Sequence, residues 1–190
     1  MKYHNITKDD MLNGPGLRVV LWVAGCEHAC EGCQNPCTWN PDEGMEFDFD
    51  AKMELFEQLE QDYIDGITFS GGDPFHWANR NEVAALVTEI KNRYPDKTII
   101  IYTGYQIVND NNIFYLKNQK TGKLTQSKFP FRLIDVVIDG RFEQETRKQD
   151  IAEHKVVHWR GSSNQRIIDV QQSIKNKNIT EFKEEVVWVQ

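Results

Sequence analysis

The chain has 190 residues, enough for one domain that buries roughly 70% of the surface its unfolded form exposes, so no metal or disulfide is needed merely to fold it. Its 22 Lys+Arg against 29 Asp+Glu leave a net charge of −7, a field that repels phosphate backbones and argues against a nucleic-acid partner. The longest apolar stretch, Leu17 to Ala24 interrupted by Arg18, is far shorter than the ~20 residues of a membrane span, and Met1-Lys2-Tyr3-His4-Asn5 carries no signal-peptide core. A cytoplasmic protein without a membrane partner is the expectation.

Taken in chain order, the turn Asn13-Gly14-Pro15-Gly16 precedes Leu17 to Ala24, whose β-branched and aromatic residues read as a buried first strand. That strand runs straight into a loop holding all four cysteines, Cys26, Cys30, Cys33 and Cys37. Asp50 to Tyr63 then spaces Met53, Phe56, Leu59 and Tyr63 as one helical face, with Asp48 or Asp50 as cap. Gly66 to Ser70 is a short strand closed by Gly71-Gly72-Asp73-Pro74, and Glu82 to Tyr94 places Val83, Leu86, Val87 and Ile90 on a second helical face. Thr98 to Tyr102 is the clearest strand and ends in Thr103-Gly104. Strand, glycine turn and helix thus alternate, which predicts parallel strands with crossover helices and a ligand site at the strand carboxyl ends.

Asn118 to Lys128, with Lys120, Lys123 and Lys128 around Gly122, reads as a polar insertion, an exposed loop or short hairpin. Leu133 to Ile138 is a further strand leading into Asp139-Gly140-Arg141-Phe142. After Trp159 comes Arg160 to Arg166, then a carboxyl-terminal extension from about 167 with a last candidate strand, Glu185 to Val189. No internal repeat is evident, and the whole of 1–190 is expected to form one domain.

Cysteines confined to twelve residues do not make a disulfide framework; in a reducing compartment they indicate a metal or cluster site. Cys26-x3-Cys30-x2-Cys33 can hold three corners of a 4Fe-4S cubane and leave the fourth iron open for chemistry. With Cys37 included, the same run fits a closed four-thiolate site for zinc or an electron-transfer cluster. The spacing leaves both readings open. In Gly71-Gly72-Asp73-Pro74 the glycines allow close backbone approach, and the carboxylate can receive a ligand ammonium.

The cysteine loop at the end of a first strand, followed by Gly-Gly-Asp-Pro at the end of the next, resembles the radical S-adenosylmethionine superfamily. The resemblance narrows to the activating proteins of anaerobic (class III) ribonucleoside-triphosphate reductases. It is carried by Asn13 to Gly16, Gly32-Cys33-Gln34-Asn35 with Thr38-Trp39, Ser70 to Pro74, Tyr102-Thr103-Gly104-Tyr105, Asp135 to Phe142, and Trp159 to Arg166. It implies an incomplete parallel (β/α) barrel with a cluster at its carboxyl-end mouth, held by Cys26, Cys30 and Cys33. It further implies S-adenosylmethionine bound by Gly32, Cys33 and Gln34 around the nucleoside, by Gly71, Gly72 and Asp73 at the methionine amino group, and by Thr103 and Gly104 in the same cleft. The implied activity is reductive cleavage of S-adenosylmethionine and formation of a glycyl radical on the reductase, with an external electron donor such as a flavodoxin. Gln34 stands where relatives often have Tyr, and Gly32 where the wider superfamily has an aromatic residue, so the adenine is held otherwise. The alternatives are a four-cysteine zinc-binding interaction module and a radical S-adenosylmethionine enzyme with another target, whether a small molecule or a different glycyl-radical enzyme.

Other residues carry plainer expectations. His28 and His76 are expected at loop surfaces, because radical cleavage needs no general acid. Asp139 is either a turn former or a substrate-facing group. Arg160 to Arg166 either starts a helix capped by Ser162, Ser163 or Asn164 or lines the cleft. The stripes Met53/Phe56/Leu59 and Val83/Leu86/Ile90 are core.

Overall fold

A computed structural model describes residues 1–182. The first expected strand forms as β2 (Arg18–Val23), the second as β4 (Gly66–Gly71), the third as β5 (Thr98–Thr103) and the fourth as β9 (Val136–Asp139). All four run parallel as neighbours: Arg18 to Val23 align with Gly66 to Gly71, Gly66 to Phe69 with Thr98 to Ile101, and Ile100 to Thr103 with Val136 to Asp139. This register brings Val23, Gly71, Thr103 and Asp139 to one edge of the sheet. The strands are apolar because both faces are covered: Val19, Leu21, Ile67, Phe69, Ile99, Ile101 and Val137 are fully buried.

Antiparallel strands flank the parallel centre, so among the described residues the sheet has seven strands and is mixed rather than wholly parallel. β1 (Lys2–Asp10) and β3 (Met45–Glu46) lie beyond β2, and β10 (Arg166–Asp169) lies beyond β9. β1 was not anticipated because its inward residues, Tyr3 and Ile6, are three apart; a bulge between Tyr3 and Asn5 breaks the period of two that marks a strand. The expected carboxyl-terminal extension from about 167 is in part this edge strand, followed by α4 (Val170–Asn176), capped by Asp169, which accepts from the Gln172 N–H at 2.8 Å. The candidate strand Glu185 to Val189 lies outside the described residues.

The crossovers differ in kind. Between β2 and β4 stands α1 (Phe49–Leu59), capped by Asp48, whose carboxylate accepts from the Ala51 N–H at 3.0 Å. Its buried face is Ala51, Leu55, Phe56 and Leu59; Met53, expected in the core, is 41% exposed because it turns outward, and Tyr63, expected on the same helical face, lies beyond the helix end and is 54% exposed. α2 (Arg80–Arg93) links β4 to β5 and buries Val83, Leu86, Val87 and Ile90 as expected. Between β5 and β9 no helix intervenes: β6 (Gln106–Asp110), β7 (Ile113–Lys117) and β8 (Leu124–Gln126) form a separate antiparallel sheet, and the polar insertion is the turn and third strand of it. The strand expected from Leu133 begins only at Val136, after a 3-10 turn at Phe131–Leu133. α3 (Gln144–Ala152) buries only Asp150 and so carries no apolar stripe from which a helix could be read. No helix starts at 160–166. Among the described residues no helix is long and apolar enough to cross a membrane.

Candidate functional site

Two backbone turns interlock at the carboxyl edge of the parallel strands. After β2 the chain passes through Gly25 at φ +105° into Cys26, and the returning 3-10 turn Pro36–Thr38 accepts the Gly25 N–H on Thr38 O at 2.7 Å. The turn after β4 closes on the same segment: Gly72 N–H donates to Val23 O at 2.7 Å and Asp73 N–H to Gly25 O at 2.8 Å. A Cβ on Gly72 would sit 2.5 Å from Gly25 O, and Gly71 holds φ +96° against the backbone of Trp22 and Val23, so both glycines are required by close approach. Buried Asn79 ties the turns together, donating to Ala24 O at 2.8 Å and to Asp73 O at 3.0 Å.

Above these turns opens a cleft of about 530 Å³. Cys26, Cys30 and Cys33 line it together with Gln34, Gly71, Gly72, Thr103 and Gly104. Gly32 and Asp73, expected beside them, do not form its wall: Gly32 is exposed at φ +69° against the Gln144 side chain, and Asp73 lies behind the turn, 1% exposed. Cys37 is exposed and outside the cleft. Trp39, Phe142 and Trp159 give the cleft aromatic walls, and Arg160, Gly161 and Gln165 border it, in keeping with the cleft-lining alternative for that segment.

Burial pushes the Cys26 thiol up to about 12, with the charge of Asp73 adding to the effect, and raises Cys30 for the same first reason against an opposing Arg141. Burial thus favours the neutral form of both thiols, and a metal would have to displace their protons. Among the described residues no three Cys, His, Asp or Glu side chains converge closely enough to hold a single metal ion. Tetrahedral zinc needs four donors at about 2.3 Å from one centre, and the four cysteines are not gathered that way. A cubane binds its thiolates through different irons, so three cysteines spread around one cleft suit it better.

Both histidines depart from expectation. His28 and His76 are 1% and 4% exposed, drawn in by specific partners rather than left on the loop surface. His28 Nε2 lies 2.7 Å from Asp73 Oδ2, and its ring packs edge-on to Tyr105 with centroids 4.6 Å apart. His76 is lowered by burial and accepts from the Ala78 N–H through Nδ1 at 3.4 Å. Asp73 also accepts from Phe75 N–H at 2.8 Å, Gly104 N–H at 3.0 Å and the Thr103 hydroxyl at 2.9 Å. Sequence reading missed this network, because Asp73, Thr103 and His28 are 30 or more residues apart in the chain and nothing local links them. Asp139 proves to be neither a simple turn former nor open to the cleft. It is fully buried, paired with Arg166 across β9 and β10, and accepts the Ile107 N–H at 2.6 Å; burial raises its pKa against the pull of Arg166.

Aligned with known proteins, the chain is 39% identical over 167 residues to an anaerobic ribonucleoside-triphosphate reductase-activating protein of Enterobacteria phage T4, covering 88% of this chain and 93% of the relative. The chain belongs to this family of activating proteins. Proteins of the same name from Vibrio cholerae serotype O1 and Escherichia coli K12 are 36% and 34% identical, each covering 87% of this chain and 96% of the relative. Residues 12–168 match the sequence family described as a 4Fe-4S single cluster domain, which spans the cysteine loop and all four parallel strands of this activating-protein relative.

Proposed function

We propose that this protein activates an anaerobic ribonucleoside-triphosphate reductase by generating a glycyl radical on it, as a radical S-adenosylmethionine enzyme. The observation that carries the reading is that Cys26, Cys30 and Cys33, but not Cys37, line one cleft with Gly71, Gly72, Thr103 and Gly104 at the carboxyl ends of parallel strands. The chain acts as one domain, its parallel strands forming an incomplete barrel, in the cytoplasm and without nucleic acid or membrane.

Cys26, Cys30 and Cys33 would hold the 4Fe-4S cluster as thiolates, leaving one iron without a protein ligand. The chemistry supplied by the bound groups is reductive, homolytic cleavage of S-adenosylmethionine, with an electron from a donor such as a flavodoxin, and abstraction of hydrogen from a backbone glycine of the reductase. The chain itself binds and orients. The backbone of Gly71 and Gly72 can approach the methionine end because no Cβ intrudes from the glycines, while Cys33 and Gln34 would border the nucleoside and Thr103 and Gly104 the opposite wall. Trp39, Phe142 and Trp159 exclude water from the walls around the thiols. A glycine target suits such a cleft because its backbone enters without a side chain.

The test is anaerobic mixing of the reconstituted protein with a candidate reductase, S-adenosylmethionine and reductant, with electron paramagnetic resonance as the readout. A glycyl doublet dependent on all components is the expected result. Zinc without iron or sulfide after anaerobic purification would overturn the reading, as would S-adenosylmethionine cleavage with no radical on the reductase.

A further inference from the structure

The carboxylate of Asp73 has no side left open for a ligand. Four donors meet its roughly four lone-pair sites: Phe75 N–H on Oδ1, the Thr103 hydroxyl between the two oxygens, and Gly104 N–H and His28 Nε2 on Oδ2. It is 1% exposed and does not reach the cleft wall. A carboxylate only accepts, so the hydrogen shared with His28 resides on Nε2, and Asp73 fixes both the tautomer and the tilt of that ring. Room for the ring comes from Gly104, where a Cβ would stand 2.4 Å from His28 Cδ2.

His28 sits between Cys26 and Cys30, on a stretch with no helix or strand to hold it. Its neighbour Glu27 is fastened too, accepting from the Tyr105 hydroxyl at 2.6 Å and from Asn118 Nδ2 at 2.9 Å. Glu27 is exposed, so that second tie is weak, whereas the His28–Asp73 bond is buried and charge-assisted. We infer that His28 is a positioning residue: through Asp73, Thr103 and Gly104 it latches the cysteine loop to the ends of β4 and β5 and so sets where Cys26 and Cys30 stand. Asp73 then serves the cofactor site through His28 and through its own backbone, not by offering its carboxylate to the ligand ammonium. The polar turn at Asn118 gains a role as the outer tie of the same loop.

The inference rests on Cys26, Cys30 and Cys33 being the cluster ligands, yet its test needs neither cluster nor S-adenosylmethionine. Reduced, cluster-free protein is alkylated anaerobically with iodoacetamide, and labelling of buried Cys30 is read by mass spectrometry against exposed Cys37 in the same molecule. His28→Ala should raise the Cys30 to Cys37 labelling ratio by about tenfold or more, the scale on which losing one charge-assisted hydrogen bond shifts a local opening equilibrium. His28→Gln, whose amide N–H can reach Asp73, should return the ratio close to wild type at an unchanged melting temperature. Asp73→Asn should raise the ratio as His28→Ala does, and Tyr105→Phe should raise it less. Unchanged ratios in both Asp73→Asn and His28→Ala would overturn the latch, as would failure of His28→Gln to restore protection while it remains folded. If His28→Ala does not fold, the Asp73→Asn and His28→Gln pair decides alone. Should Asp73→Asn instead weaken S-adenosylmethionine binding in the loaded protein with Cys30 protection intact, the carboxylate contacts the ligand directly. The latch then fails while the activase reading stands.

Discussion

The two ends of the same four parallel strands bury a charge in opposite ways. At the amino end Arg18 is fully buried, and its guanidinium donates to the Thr68 and Thr98 hydroxyls at 2.8 Å and to Ile67 O and Thr98 O at 2.7 and 3.0 Å. One long side chain plugs that end, and burial lowers its pKa to about 10. At the carboxyl end Asp139 is buried against Arg166, Asp73 is held behind a glycine turn, and the space in front of that turn stays open as the cleft. Closure and opening follow from side-chain length: an arginine fills the end where strands begin, and glycines clear the end where they stop. Chemistry-bearing residues gather only at the cleared end.

The comparison breaks first at the cysteines. Replacing Cys26, Cys30 or Cys33 by Ala should abolish cluster assembly, measured as iron and sulfide content, because two thiolates do not anchor a cubane beside an open cleft. An intact cluster in any one variant would remove that residue from the ligand set. At the plugged end Arg18→Met should cost about 3 kcal/mol in urea unfolding, since Ile67 O and Thr98 O lose their donors within the core, yet leave the cleft's iron content unaltered once folded. Loss of cluster in a folded Arg18→Met protein would show that the two ends are not independent. Gly72→Ala should destabilise by about 1–3 kcal/mol and also lower the affinity for S-adenosylmethionine, because the new methyl meets backbone rather than a movable side chain.

A smaller effect comes from the raised Cys26 thiol. A group whose pKa rises on folding stabilises fully below its unfolded value and loses that contribution as pH climbs through the folded value. Between the ordinary 9.0 and about 12, cluster-free wild type should therefore lose its advantage over Cys26→Ala by roughly 1 kcal/mol per pH unit, read from urea midpoints at pH 8.5 and 10.5. A constant difference would mean that the thiol is solvated. Smallest of all, Cys37→Ser at an exposed position should shift stability by no more than about 0.5 kcal/mol and keep iron, sulfide and S-adenosylmethionine cleavage. Cluster loss there would restore the four-thiolate reading.

The sequence by itself determined the four parallel strands, α2 and the cysteine loop, because apolar runs and 3.6-residue stripes are local signals of burial. It also determined that glycine turns follow β4 and β5, where Gly71 holds φ +96°, Gly72 approaches Gly25 O and Gly104 leaves room for the His28 ring. Tertiary structure alone decided what those signals could not encode. The bulge in β1 hid a strand, the loop or hairpin expected at Asn118 to Lys128 is part of a three-stranded sheet, β6–β8, and α3, with only Asp150 buried, left no stripe to read. Cys26, Cys30 and Cys33 are separated from Cys37 only by which face of the folded loop meets the cleft, a distinction that equal-looking spacings cannot hold. From sequence His28 reads as a surface residue and Asp139 as either a turn former or a substrate-facing group, since a buried polar group is legible only through its partners. Those partners, Asp73 and Arg166, lie 45 and 27 residues away along the chain and come within hydrogen-bonding distance only when the sheet assembles.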